Sequence, residues 1–171
     1  HFECAAYLYD TECIPDIEKD FQETLEKCRE VTLDTVKKEK WWLLAPGPGR
    51  GITMEDGTLV FPVEGRNEDG LQFSTIMWSK DKGENWTVGE PAYYNTNECQ
   101  VVELSDHSLM LNMRERSNRG RQEGNGRAIA VTADLGKTWT EHPTSRRALI
   151  EPACQASLLR HDYIEDGEER H

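Results

Sequence analysis

The sequence predicts a mainly β fold: a partial β-propeller of about two four-stranded antiparallel blades with Asp boxes, plus a further strand, preceded by an N-terminal amphipathic helix. Two observations predict the β part. From residue 51 onward, short β-prone runs alternate with polar turns, as in an antiparallel meander. Two of the turns, "SKDKGENW" at 79–86 and "TADLGKTW" at 132–139, share the pattern Ser/Thr-x-Asp-x-Gly-x-x-Trp at a displacement of 53 residues. A period of about 50 residues with four strands per unit is that of propeller blades. A third observation predicts the helix: Ile14, Ile17, Phe21, Leu25 and Cys28 recur every three or four residues, with Pro15 at the start and acids in the first turn.

The elements follow in order. Residues 1–42 form a helical or irregular segment whose helix, at 15–30, packs on sheets or bridges to another portion; a partner-binding helix is the alternative reading. Residues 43–171 form the partial propeller. "GITM", the turn "EDG" and "TLVFPVEG" make one hairpin, and "LQFSTIMWS" with "NWTVG" makes the next, giving a blade at 51–91. "ECQVVEL" (98–104), "SLMLNMR" (108–114), "GRAIAVT" (126–132) and "TWTEH" give a second blade at 98–142, and a further strand begins near Cys154. Gly83 and Gly136 supply positive φ in the Asp-box turns, Asp81 and Asp134 accept backbone N–H groups, and Trp86 and Trp139 pack between sheets. Both aspartates are therefore structural.

Composition excludes several functions. The 171 residues carry 20 Lys and Arg against 32 Asp and Glu, a formal charge of −12, which repels a phosphate backbone and argues against nucleic acid. No apolar run reaches the roughly 18 residues of a membrane helix. The start lacks a basic region followed by an apolar stretch, so a leader has been removed or the sequence begins inside a longer gene. Cys4, Cys13, Cys28, Cys99 and Cys154 contain no C-x-x-C pair and read as small buried thiols, with one N-terminal disulfide as the alternative. His1, His107, His142, His161 and His171 lack i, i+4 spacing, so no metal site is expected.

The loop "GPGRG" (47–51) lacks the phosphate-loop pattern and precedes a strand, so it reads as a tight turn or the rim of a ligand site. The sequon at Asn85 lies inside the first Asp box and is incidental. The hairpin "NECQVVELSDHSLMLNMR" is more informative. A turn centred on Asp106 sets Glu98 opposite Arg114, about 5 Å apart at Cβ. Met110, Asn112 and Arg114 then share one face, and Leu109, Leu111 and Met113 the other. The two charges are either an ordinary cross-strand ion pair or groups that a strand end presents to a cavity.

"GPGRGITMEDGTLVFP", the two Asp boxes, "NECQVVEL" with "LNMR", and "EPACQASLL" stand in an order that resembles the sialidases over residues 41–163. These exo-α-neuraminidases are retaining glycoside hydrolases with a six-bladed propeller of Asp-box, or BNR, repeats. The resemblance implies two roles. Glu98, in "NECQ", matches the glutamate that takes the proton from a nucleophilic tyrosine; a phenolate avoids the repulsion that a carboxylate nucleophile meets at an anionic sugar. Arg114, in "LNMR", matches one of three arginines that clamp the sialic acid carboxylate, a task suited to a planar, permanently charged fork.

The family's early arginine, general-acid aspartate, third arginine and tyrosine nucleophile have no match here. Tyr7, Tyr9, Tyr93, Tyr94 and Tyr163 do not occupy the nucleophile's place, although Tyr93 and Tyr94 are expected at the rim of the site. Two blades do not close a propeller, so open sheet edges call for missing blades or another chain as partner. The expectation is an exo-α-sialidase present as an incomplete propeller, acting on sialylated glycoconjugates, with no cofactor, no metal and no membrane span. Its alternative is a catalytically inactive sialic-acid-binding or structural fragment. The resemblance implies a secreted, periplasmic or lumenal location.

Overall fold

A computed structural model describes residues 41–151, 153–165 and 168–170, together with Pro15 and Lys19. The chain divides into two compact units, residues 1–35 and 36–171. Of the first, Pro15 and Lys19 are both helical and exposed; the rest of the expected helix at 15–30 lies outside the described residues.

The second unit opens with a sheet built from β1 (Trp41–Pro46), β2 (Ile52–Thr53), β3 (Leu59–Asn67), β4 (Gln72–Ser79), β5 (Thr87–Val88) and β6 (Tyr93–Tyr94). Its path is β1-β3-β4-β5, with β2 also on β3 and β6 also on β4. Both edges are thus single lines broken in the middle. β1 pairs Pro46 with Val63 and β2 pairs Ile52 with Val60, so the loop 47–51 interrupts an edge strand. The blade consequently begins at Trp41, ten positions before the expected boundary at 51, because "GPGRG" divides a strand where it was expected to precede one.

The second sheet has the order β10-β9-β8-β7, formed by β7 (Thr96–Glu103), β8 (Leu109–Glu115), β9 (Ala128–Thr132) and β10 (Thr140–Glu141). Along β7 and β8 the residues of the shared core fall at alternate positions, on one face of the sheet. Cys99, Val101, Leu109, Leu111 and Met113 are buried with Val60 and Ile76 of the first sheet in one shared core. Leu111 is fully buried, and its truncation to Ala is worth about 2–5 kcal/mol at such a site.

The two Asp boxes are superimposable in their bonding. In the first, Asn85 N–H donates to Asp81 Oδ1 at 2.9 Å and Gly83 N–H to Ser79 Oγ at 2.9 Å. In the second, Thr138 N–H donates to Asp134 Oδ1 at 2.9 Å and Gly136 N–H to Thr132 Oγ1 at 2.9 Å. Gly83 and Gly136 have φ of 94° and 80°, the positive values the turn requires. These bonds hold both carboxyls at about 2, well below the ordinary 3.8. Their surroundings differ. Trp139 Nε1 donates to the carbonyl of Glu90 at 2.8 Å and Glu90 N–H to Gly136 O at 2.8 Å, stitching the second box to the first blade. Trp86 packs on Phe61 with ring centroids 5.4 Å apart, both partly exposed.

The strand expected from Cys154 does not form. Residues 154–162 have no ladder partner among the described residues, and an extended segment without one is not a strand. A short hairpin of β11 (Tyr163–Glu165) and β12 (Glu168–Arg170) follows.

Candidate functional site

The β7–β8 ladder places the two candidate charges together by a route the simple hairpin lacks. Val101 pairs with Leu111, Gln100 with Asn112 and Cys99 with Met113, as expected; the register then shifts so that Asn97 faces Arg114. Glu98 is the extra residue of a β-bulge, with φ of 28°. Its carboxylate nevertheless reaches Arg114, with Nη1 to Oε2 at 2.9 Å and side-chain exposures of 24% and 26%. The pair is therefore half-open to solvent. Arg114 Nε and Asn97 Oδ1 are buried and have no hydrogen-bond partner among the described residues.

Beneath this pair lies a second, closed one. Arg127, next to the start of β9, is 3% exposed and donates from Nη1 to Glu151 Oε2 and to the carbonyl of Cys154, both at 2.9 Å. Its Nε donates to Asn112 Oδ1 and its Nη2 to the carbonyl of Glu98 at 3.2 Å. Glu151 is satisfied in turn by the Glu115 N–H at 2.8 Å and Asn118 Nδ2 at 2.9 Å. Burial pushes the Arg127 guanidinium pKa down while Glu151 pulls it up. On the other side, Glu98 N–H donates to Glu64 Oε2, from β3, at 3.0 Å.

The "GPGRG" loop closes over the neighbouring layer. Gln100 Nε2 and Gln155 Nε2 both donate to the carbonyl of Pro48, at 2.6 and 2.7 Å. Gly49, at φ of 150°, packs against the Gln100 amide so closely that a Cβ would collide with it. The sequence carries one signal of this: "CQ" occurs at 99–100 and again at 154–155. The sequence gives only one sign of the Arg127–Glu151 pair, a charge at the mouth of the apolar run "AIAV".

The tyrosines and cysteines named from the sequence have neighbours of their own. Tyr93 lies under the Arg146 guanidinium at 4.6 Å, Tyr94 meets Phe73 edge-on at 6.2 Å, and Tyr163 stacks on His161 at 5.6 Å. Tyr7 and Tyr9 are outside the described residues. Cys99 is buried, and desolvation pushes its thiol up to about 12, so it is inert at neutral pH. Cys154 is exposed, against the expectation of a buried thiol, because its segment lacks a covering strand. Cys4, Cys13 and Cys28 are outside the described residues. Among the described residues no group of three or more His, Cys, Asp or Glu could hold a metal ion, and no helix is long and apolar enough to cross a membrane. A cavity of about 550 Å³, lined by residues including Trp78, Lys80, Glu103 and His107, opens at the turn end of the hairpin. Glu103 lies five positions beyond Glu98 along β7, about 16 Å at the usual rise, so this cavity is distinct from the charged pair.

The chain as a whole matches known proteins. Residues 10–171 match the family described as BNR repeat-like domain. The chain is 52% identical over 126 residues to a sialidase of Bacteroides fragilis, an alignment covering 74% of this chain and 22% of that protein. It is 34% identical over 121 residues to a sialidase of Clostridium perfringens, covering 67% of this chain and 30% of that one. Among solved structures, Hadza microbial sialidase Hz136 superimposes with a TM-score of 0.63 at 45% identity, over 70% of this chain and 23% of that chain. Trypanosoma rangeli sialidase in complex with sialic acid gives 0.60 at 28% identity, over 74% and 20%. The chain thus spans less than a third of the length of these relatives.

Proposed function

Because the chain belongs to the sialidase family, within the BNR repeat-like group, we propose that it carries part of an exo-α-sialidase site, with Arg114 binding the substrate carboxylate and Glu98 acting as proton acceptor. The observation that supports this reading most is the half-open Glu98–Arg114 pair of 2.9 Å. Arg114 makes one Nη1 contact with Glu98 and its side chain is 24% exposed, which leaves outer donors of the fork for an anionic ligand. Glu98, with Oε2 at 2.9 Å from that cation, is the acceptor placed to take a phenolic proton. The phenolate so formed would attack the anomeric carbon as the aglycone oxygen leaves with a proton from an acid outside the described residues, giving a glycosyl-enzyme for water to cleave. Sialylated glycoconjugates are the substrate class this assigns.

One observation favours a second reading for this stretch of chain. The described tyrosines are engaged with Arg146, Phe73 and His161, so the nucleophile would come from outside the described residues. Where no residue outside the described ones supplies it, the chain binds without turnover. Release of fluorophore from a sialic acid α-glycoside, measured beside Glu98→Gln and beside titration with free sialic acid, separates the two. Turnover that falls by about 10²–10⁴-fold in the variant supports the catalytic reading. Saturable binding with no turnover supports the second, and neither binding nor turnover from the folded chain refutes both.

A further inference from the structure

A bulge leaves the peptide groups of its extra residue outside the ladder. At Glu98 both are nevertheless bonded, each by a side chain from a different sheet. The N–H donates to Glu64 Oε2 at 3.0 Å, and the carbonyl accepts Arg127 Nη2 at 3.2 Å. Glu64 belongs to β3 of the first blade, where its Cα pairs with Ala45 and Ser74. Arg127 is anchored in the second blade by Glu151, Asn112 and the carbonyl of Cys154. The bulge residue itself has φ of 28°, a left-handed value that a non-glycine residue keeps only where its surroundings over-determine it.

We infer that Glu64 and Arg127 are positioning residues that clamp the main chain of Glu98 from two blades and so aim its carboxylate at Arg114. The inference rests on the proposed role of Glu98. With the clamp closed, the Glu98 carboxylate meets Arg114 Nη1 at 2.9 Å from the bulged backbone. With either arm removed, one peptide group of the bulge loses its partner and the left-handed conformation at Glu98 loses what holds it, so the carboxylate is no longer fixed in one position beside Arg114. The arms also differ in chemistry. Arg127 is buried and tied to three other acceptors, so its replacement disturbs the core. Glu64 is half-buried and presents a single acceptor to the bulge, which makes it the cleaner position to test.

The test compares the 171-residue chain with Glu64→Gln, which keeps an amide oxygen to accept the Glu98 N–H, and Glu64→Ala, which does not. Hydrogen exchange followed by NMR is the first readout. The Glu98 amide is expected to exchange at least tenfold faster in Glu64→Ala and within threefold of wild type in Glu64→Gln, with the β8 amides unchanged in both. Turnover of a fluorogenic α-sialoside is the second: kcat at least tenfold lower in Glu64→Ala, KM within threefold, and recovery in Glu64→Gln. A Glu98 amide as protected in Glu64→Ala as in wild type overturns the clamp, as does an unchanged kcat. Absence of turnover from wild type counts against the catalytic reading alone, and the exchange measurement then decides the clamp by itself.

Discussion

Glu98 and Arg114 touch at 2.9 Å although the ladder pairs Arg114 with Asn97, so their contact is made across a bulge. The energetic balance of that arrangement is informative. Holding a non-glycine residue at φ of 28° costs of order 1–3 kcal/mol. A partly exposed ion pair returns about 0–1 kcal/mol. An ordinary cross-strand pair, one of the two readings open from the sequence, would be formed more cheaply by the regular register. The strain therefore favours a role in which the direction of the carboxylate matters more than the stability of the pair.

Arg114 is the first place to apply that argument. Arg114→Lys keeps the charge and loses the planar fork, so it separates bidentate recognition from simple attraction. Each hydrogen bond to a charged group is worth about 1.5–3 kcal/mol, so loss of one weakens binding of free sialic acid by roughly 10–100-fold. The melting temperature should stay close to that of wild type, since the pair is half-exposed. Equal affinity in the two proteins would remove Arg114 from the binding site.

The buried pair behaves in the opposite way. Arg127 and Glu151 have side-chain exposures of 4% and 2%, so removing one partner strands an uncompensated charge. Arg127→Met or Glu151→Leu alone is expected to destabilise by about 3–5 kcal/mol, and the double variant by less than either single. Urea unfolding of the four proteins measures the coupling. Additive losses would mean that the two side chains do not depend on each other.

How much of this was legible in the sequence follows from the range of each interaction. The Asp boxes, the strand order and the facing of Leu109, Leu111 and Met113 were readable because each rests on neighbours a few positions apart. The proximity of Glu98 to Arg114 was readable from the turn at Asp106, but the bulge was not, because it is imposed by Glu64 and Arg127, which are 34 and 29 positions away in sequence. The convergence of Gln100 and Gln155 on Pro48 joins residues 52 and 107 positions apart, beyond any local pattern. The strand at 154 failed for the converse reason: β propensity was present, and a partner was not.

The Asp boxes make acid stability predictable in sign. The Asp134 carboxyl lies at about 2 against an ordinary 3.8, first because the Thr138 backbone N–H donates to it. Between those values the unfolded chain binds more protons than the folded one, so stability rises with pH across the window. The contribution is fully present above the ordinary carboxylate range and is lost as pH falls through about 2. Asp134→Asn should lower the urea midpoint at pH 5 and flatten its decline toward pH 2.5. A variant whose midpoint tracks wild type in parallel over that range would show that the box carboxylate contributes nothing to the pH dependence.

The loop at 47–51 offers a prediction that links packing to the site. Pro48 O is the shared acceptor of Gln100 and Gln155, and Gly49 lies against the Gln100 amide. A methyl group at Gly49 would meet that amide, so Gly49→Ala must displace either the loop or Gln100. Gln100 is adjacent to Cys99 and two positions from Glu98, and displacing it loosens the end of β7 that carries the bulge. The expected result is a loss of about 1–3 kcal/mol, the usual range for overpacking, together with weaker sialic acid binding. Gly49→Ala with Gln100→Ala should recover part of the stability by removing the colliding group, while the lost Gln100 bond to Pro48 keeps the loop looser than in wild type. Chemical denaturation and ligand titration on the single and double variants read both effects. No rescue of stability in the double variant would show that the strain at Gly49 lies in its backbone conformation, with the contact to Gln100 incidental.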